Sequence, residues 1–183
     1  MEKMTEINGY GKFTIGRYFQ IMTRMLGEPG QFFSDISDAM SFTQALGCLV
    51  ISGLFFTGAS LTQIHETNIL MAGILFLNAV AMPMIAACVT FVVINISFVK
   101  SVTFVRLLSV YSYAASVTLL LSWIPIFIWL TEPWKWVLIY KGLTRGCGLK
   151  RIKTLFIIVI TVSALALLFR YLGILTSYMK GLI

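Results

Sequence analysis

The sequence predicts an all-α fold: a polytopic membrane helical bundle of five transmembrane helices behind an amphipathic N-terminal segment. Three observations predict it. Hydrophobic residues make up 58% of the 183 and charged residues only 11%, against about 45–50% and about 25% in an average soluble domain. A chain this short keeps much of its surface in contact with solvent, so a surplus of that size calls for a solvent of lipid. The apolar residues come in long uncharged runs, and the basic residues fall in the short segments between them.

The net charge of +7 takes its meaning from that arrangement. Basic residues gathered on a soluble domain point to nucleic acid. Basic residues spread between apolar runs instead orient a chain in a membrane. The lipid bilayer is therefore the expected partner, and nucleic acid is not.

Residues 1–40 read as a cytoplasmic segment ahead of a transmembrane domain, 41–183. Ile15, Tyr18, Phe19, Met22, Met25 and Leu26 recur at helical spacing and make one face, with Arg17, Gln20 and Arg24 roughly opposite. Gly27 can end that helix and Pro29 can open the next turn. There Phe32, Phe33, Ile36 and Met40 form a second apolar face, with Asp35 and Asp38 turned to water. The segment is an interfacial elbow around Pro29, Phe32 and Phe33, lying on lipid or packed as a lid on its own spans. The moment is the same for either.

The first span, about 42–62, is built on the uncharged run ALGCLVISGLFFTGASL, and Ser41 to Gln44 fits a capping box. The second, 69–99, is uncharged for 31 residues. Pro83 near its middle removes one backbone bond and predicts a kink. The third, 103–123, is broken only by Arg106, and Pro125 beyond it predicts a second bend or a stop. For the fourth, about 125–145, Thr131-Glu132-Pro133 has the look of a helix start, with Thr131 as cap and Pro133 in the first turn. The run after it is short and holds Lys135, so the span borrows from 124–130. The fifth, 152–176, is led by Lys150, Arg151 and Lys153, with Arg170 near its far end.

Charge bookkeeping sets the orientation. With an inner N-terminus, the inner segments hold Lys3, Lys12, Arg17, Arg24, Lys100, Arg106, Lys141, Arg145, Lys150, Arg151 and Lys153, while the outer ones hold Lys135, Arg170 and Lys180. That asymmetry satisfies the positive-inside rule, whereas a four-span chain would put the basic cluster at 141–153 outside. The loop TQIHETN at 62–68 has no Lys or Arg and belongs outside. No signal peptide is expected, since the first 44 residues lack an apolar core region. The N-terminus is cytoplasmic and the C-terminus lies across the membrane.

Chemistry is sparse. His65 beside Glu66 in the outer loop falls short of the three protein ligands of a catalytic zinc site. Cys48, Cys88 and Cys147 are spaced for neither a metal nor a disulfide framework. Cys147 lies among Arg145, Lys150 and Arg151, basic neighbours of the kind that lower a thiol's pKa; an incidental cytosolic thiol is the simpler reading. No catalytic, cofactor or metal residue is expected, and the chain is not expected to be an enzyme. Gly142 and Gly146, and Ser112 and Ser116, have the small-residue spacing that lets helices approach closely. Asn78 and Asn95 are the deepest strongly polar side chains. Each can hydrogen-bond between helices, for roughly 0.6–2 kcal/mol, or line a polar path.

Some residues carry a resemblance. Pro29-x-x-Phe32-Phe33 ahead of Ser41-Phe42, five spans, Tyr113-Ala114 in the third span and Trp136 leading to Gly142 in the fourth resemble the Yip family of Ypt-interacting membrane proteins, in its compact bacterial branch. The resemblance implies a five-span protein of the bacterial inner membrane with its N-terminus in the cytosol. In the eukaryotic branch it also implies prenylated Rab-type GTPase partners. The short N-terminal tail, and the lack of an Asp-Leu-Tyr-Gly-Pro stretch in the first span, put a GTPase partner in doubt here. The function so implied is a non-enzymatic scaffold or adaptor for a membrane protein partner or a second copy of the chain. The alternative is a small transporter, channel or lipid-handling, scramblase-like protein, which needs a polar cavity around Asn78, Pro83 and Asn95.

Overall fold

The computed structural model describes the backbone of residues 14–35, 42–63, 68–97 and 102–180, and their side chains except those of 128 and 172–180. Ser41 with its cap, Ile36, Asp38, Met40, Lys100 and the His65–Glu66 pair lie outside the described residues.

The described chain is helical. The helices are α1 (Ile15–Gly27), α2 (Pro29–Asp35), α3 (Phe42–Leu61), α4 (Ile69–Ile96), α5 (Phe104–Ser122), α6 (Pro125–Lys141) and α7 (Arg151–Lys180), with a π turn at Gly142–Gly146 between the last two. Four of them, α3, α4, α5 and α7, are long and apolar enough to cross a membrane, the make-up of a multi-pass membrane protein. The expected span at 125–145 is occupied by α6 and the π turn. At 17 residues, α6 is about 25 Å long, short of the ~30 Å hydrocarbon core, and it carries Glu132, Pro133 and Lys135.

Local chemistry explains the boundaries. The Asn68 side chain accepts from the Leu70 N–H and caps α4. Pro125 is the first residue of α6 after Ile124, a position where its missing N–H costs nothing. It is therefore a helix start and not the kink expected of it. Thr131 and Pro133 are inside α6 and do not open it: Thr131 is buried, with its hydroxyl 3.1 Å from Ser122 Oγ on α5. Pro83 is likewise interior to α4, which runs on past it. The π turn closes on a bond from the Cys147 N–H to the Gly142 carbonyl, and Gly148 follows at φ 67°, a left-handed conformation that glycine takes without steric cost.

The core is organised around α5. All twelve residues from 107 to 118 are buried, and the helix packs on α3, α4 and α6. Its small residues, among them Ser109, Ser112, Ala114, Ala115 and Ser116, let three neighbours approach at once. By contrast α7 packs chiefly on α4 and leaves Ile152, Leu155, Phe156 and Val159 exposed.

The N-terminal segment packs along the bundle as far as the middle of α3 and α5. The buried face of α1 is Tyr18, Ile21, Met22 and Met25, while Ile15, Phe19 and Leu26 point away. The six apolar residues that the sequence groups on one face are thus divided, with Ile21 joining the buried set. The Tyr18 hydroxyl lies 2.8 Å from Ser52 Oγ on α3, and Arg24 pairs with Asp35 to tie α1 to α2. From α2, Phe32 meets the Tyr113 ring edge-on at 5.3 Å.

Candidate functional site

Two polar features lie inside the bundle. The first is a node of three hydroxyls. Thr90 on α4 is within hydrogen-bond reach of Tyr111 on α5 and lies 3.2 Å from Thr161 Oγ1 on α7. Thr90 also directs its hydroxyl at the Ala86 carbonyl, 2.8 Å away. Its single hydrogen goes to the Ala86 carbonyl or to Thr161 Oγ1, so in either case it accepts from Tyr111. All three side chains are buried, so the node fastens α4, α5 and α7 where no solvent supplies substitutes.

The second is a cavity of about 360 Å³ between α4, α5 and α6. Helical spacing brings one face of each helix to it: Asn78, Ala79, Met82, Pro83 and Ala86 from α4; Tyr111, Ala115, Thr118, Leu119 and Ser122 from α5; Glu132, Lys135, Trp136 and Ile139 from α6. Phe56 and Leu165 complete the wall. Tyr111 belongs to both features, so the hydroxyl node bounds the cavity on one side. Pro83 has no N–H to give the Ala79 carbonyl, and both residues line the cavity.

The other end of the cavity is charged. Lys135 Nζ lies 2.7 Å from Glu132 Oε1, one helical turn away on α6. The Lys135 side chain is about a quarter exposed at 27% and that of Glu132 half exposed at 53%. This is also the tryptophan-rich end. All four tryptophans of the chain, Trp123, Trp129, Trp134 and Trp136, follow α5 or lie on α6. There the Gln63 amide donates to the Trp123 carbonyl at 3.0 Å, tying the end of α3 to the end of α5.

The sequence-derived residues fall as follows. Asn78 and Pro83 meet at the cavity. Asn95 does not reach it: its amide donates back to the Phe91 carbonyl, 2.8 Å away on its own helix. Pro29, Phe32 and Phe33 are buried, and Phe33 packs beside Gly142 and Val110. Gly142 and Gly146 are buried in the π turn. Ser116 donates to the Ser112 carbonyl at 2.6 Å within α5. Among the described residues, Ser112 Oγ, Tyr113 Oη and Thr57 Oγ1 are buried with no hydrogen-bond partner.

Cys147 is the opposite of an activated thiol. It is 5% exposed, and burial pushes its pKa from 9.0 up to about 11, Arg106 opposing only part of the rise. Its basic neighbours in sequence do not govern it, because desolvation of a buried thiolate outweighs them.

Sequence reasoning missed Thr90, Tyr111 and Thr161, isolated polar residues on three different helices whose meeting no single stretch encodes. It also passed over Glu132 and Lys135 as a pair, although their i, i+3 spacing was a signal. Among the described residues no three His, Cys, Asp or Glu side chains gather as a metal site would require. Comparison with known protein families, curated proteins and solved structures finds no match.

Proposed function

We propose that this chain is a five-span, non-enzymatic membrane scaffold or adaptor of Yip type. In this reading α6 with the π turn is the fourth crossing, the N-terminus is cytoplasmic, the C-terminus lies outside, and the membrane is a bacterial inner membrane. The observation that carries it is the seating of α1 and α2. Tyr18, Met25, Phe32 and Phe33 are buried against the bundle, while Ile15 and Phe19 on the same short helix stay exposed. A segment fixed by one face and apolar on the other supports a platform for a second surface. The resemblance to the Yip family supports a protein partner or a second copy there, with a prenylated GTPase in doubt.

The test is crosslinking in native membranes followed by pull-down, comparing the natural chain with an Ile15→Ser, Phe19→Ser variant. A reproducible partner captured by the first and lost by the second, with folding unchanged, is the expected result. Failure to capture any reproducible partner with the natural chain rejects the scaffold.

The cavity supports a second reading, that of a lipid-handling protein. Scrambling of labelled lipid in reconstituted vesicles, lost on Asn78→Leu, is its expected signature.

A further inference from the structure

We infer that the cavity between α4, α5 and α6 binds a phospholipid whose headgroup carries both a phosphate and a primary amine, the phosphate meeting Lys135 and the amine meeting Glu132. This deepens the lipid-handling reading and rests on it in one respect, that the tryptophan-rich end of the bundle lies at a headgroup layer.

Size and chemistry come first. The volume of about 360 Å³ is that of a small-molecule site, ~300–1,000 Å³ and mostly apolar with a few placed polar groups, so it takes the headgroup and the adjoining part of one acyl chain, the rest of the lipid staying outside. Here Met82, Ala86, Ala115, Ile139 and Leu165 give an apolar wall suited to an acyl chain. Ser122, Glu132 and Lys135 give the polar end. Asn78 offers an amide N–H for an ester carbonyl below the headgroup.

Depth comes second. Tryptophan gathers where bilayer meets water, and all four tryptophans gather at this end. Trp134 and Trp136 flank Lys135 in sequence. Thr131 bonds Ser122 at the end of α5, so the ion pair, about one turn further along α6, lies about one turn inside the Trp123 end of the bundle. From there the Lys135 side chain extends toward a headgroup, and the lining runs inward from it as an acyl chain would.

Charge complementarity selects the headgroup. Glu132 and Lys135 offer one charge of each sign within 2.7 Å, and neither is buried away from a ligand. A purely anionic headgroup satisfies Lys135 and meets like charge at Glu132. A choline headgroup brings a cation with no N–H to donate. A primary ammonium has three N–H donors, so a phosphoethanolamine group exchanges one internal pair for two charge-assisted ones.

The experiment uses the full chain in detergent micelles with equimolar phosphatidylethanolamine, phosphatidylglycerol and phosphatidylcholine, bound lipid being counted by native mass spectrometry. The expected result is preferential retention of phosphatidylethanolamine. Lys135→Gln lowers that retention by about tenfold or more, the scale of one lost charge-assisted contact. Glu132→Gln, nearly isosteric, leaves a lone cation and shifts the preference to phosphatidylglycerol, a reversal that loss of packing alone does not produce. Equal retention of the three lipids, or an unchanged preference in Glu132→Gln, overturns the inference. Selective binding without scrambling in vesicles supports it and rejects only the translocation step of the lipid-handling reading.

Discussion

Gly142 lies against Val110 so closely that a Cβ at position 142 would collide with one methyl of the valine and press on its other methyl and on the Phe33 ring. The contact joins the π turn, α5 and α2 at one point. It gives the G-x-x-x-G spacing a specific use: the glycine makes room for a fully buried valine.

Gly142→Ala therefore overpacks a closed site. Such insertions cost about 1–3 kcal/mol, so the thermal midpoint in micelles is expected to fall. The double variant Gly142→Ala, Val110→Ala removes the colliding methyl and its crowded neighbour. It is expected to recover part of the loss, which makes the two changes non-additive. Strict additivity would mean that the contact does not limit the packing.

The hydroxyl node predicts an order of damage. Tyr111→Phe removes one donor to Thr90 and is expected to cost about 0.6–2 kcal/mol, the range for hydrogen bonds between membrane helices. Thr90→Val removes the shared oxygen and strands the Tyr111 hydroxyl, so it is expected to cost more. Replacing all three as Thr90→Val, Tyr111→Phe, Thr161→Val leaves no stranded group and is expected to cost less than the sum of the single changes. Chemical unfolding in mixed micelles measures the series.

Cys147 predicts a pH dependence. Its folded pKa of about 11 is above the ordinary 9.0, so the folded state holds the proton more tightly than the unfolded state. The corresponding stability is present in full below pH 9 and is lost as pH rises through 11. Because the thiolate is the reactive form, alkylation of native Cys147 at pH 8 is expected to be about a hundred-fold slower than in the detergent-unfolded chain. Site-resolved mass spectrometry after timed alkylation checks it, and equal rates in the two states refute it.

The proposed five crossings predict opposite fates for the ends. Reporter tags fused at Met1 and at Ile183 are expected on different sides of the membrane, with Met1 in the cytoplasm. A cysteine introduced between α6 and α7 at Lys150 is expected to react with impermeant reagents only from the cytoplasmic side. Both termini on one side would reduce the crossings to an even number and remove α6 as a span.

The elements were legible in the sequence to different degrees. Long uncharged runs mark helices directly, because a backbone in lipid must satisfy its own polar groups. The run expected at 69–99 is Ile69–Ile96, and that at 103–123 is Phe104–Ser122. The start of α6 was harder to read. Thr131 and Pro133 have the chemistry of a helix opening, but so does Pro125, eight residues before Pro133, as a first helical residue, and the bond between Thr131 and Ser122 belongs to α5 as much as to α6.

The site was half legible. Asn78 and Asn95 share a helix and a residue type, so sequence treats them alike. Seventeen residues at 100° each leave them about 100° apart around the axis, and only Asn78 turns to the cavity. Nor does sequence say which neighbours dominate Cys147. Adjacent cations argued for a lowered pKa; the fold buries the thiol and raises it.

The sequence by itself determined the lipid-suited composition, the helices and the small-residue faces, because each depends on groups a few residues apart. The tertiary structure alone decided which apolar face of α1 is covered, that three hydroxyls from α4, α5 and α7 meet, and that a cavity ends in an ion pair among tryptophans. Those outcomes depend on the rotation of each helix about its own axis, and that rotation is fixed only when neighbouring side chains compete for the same volume.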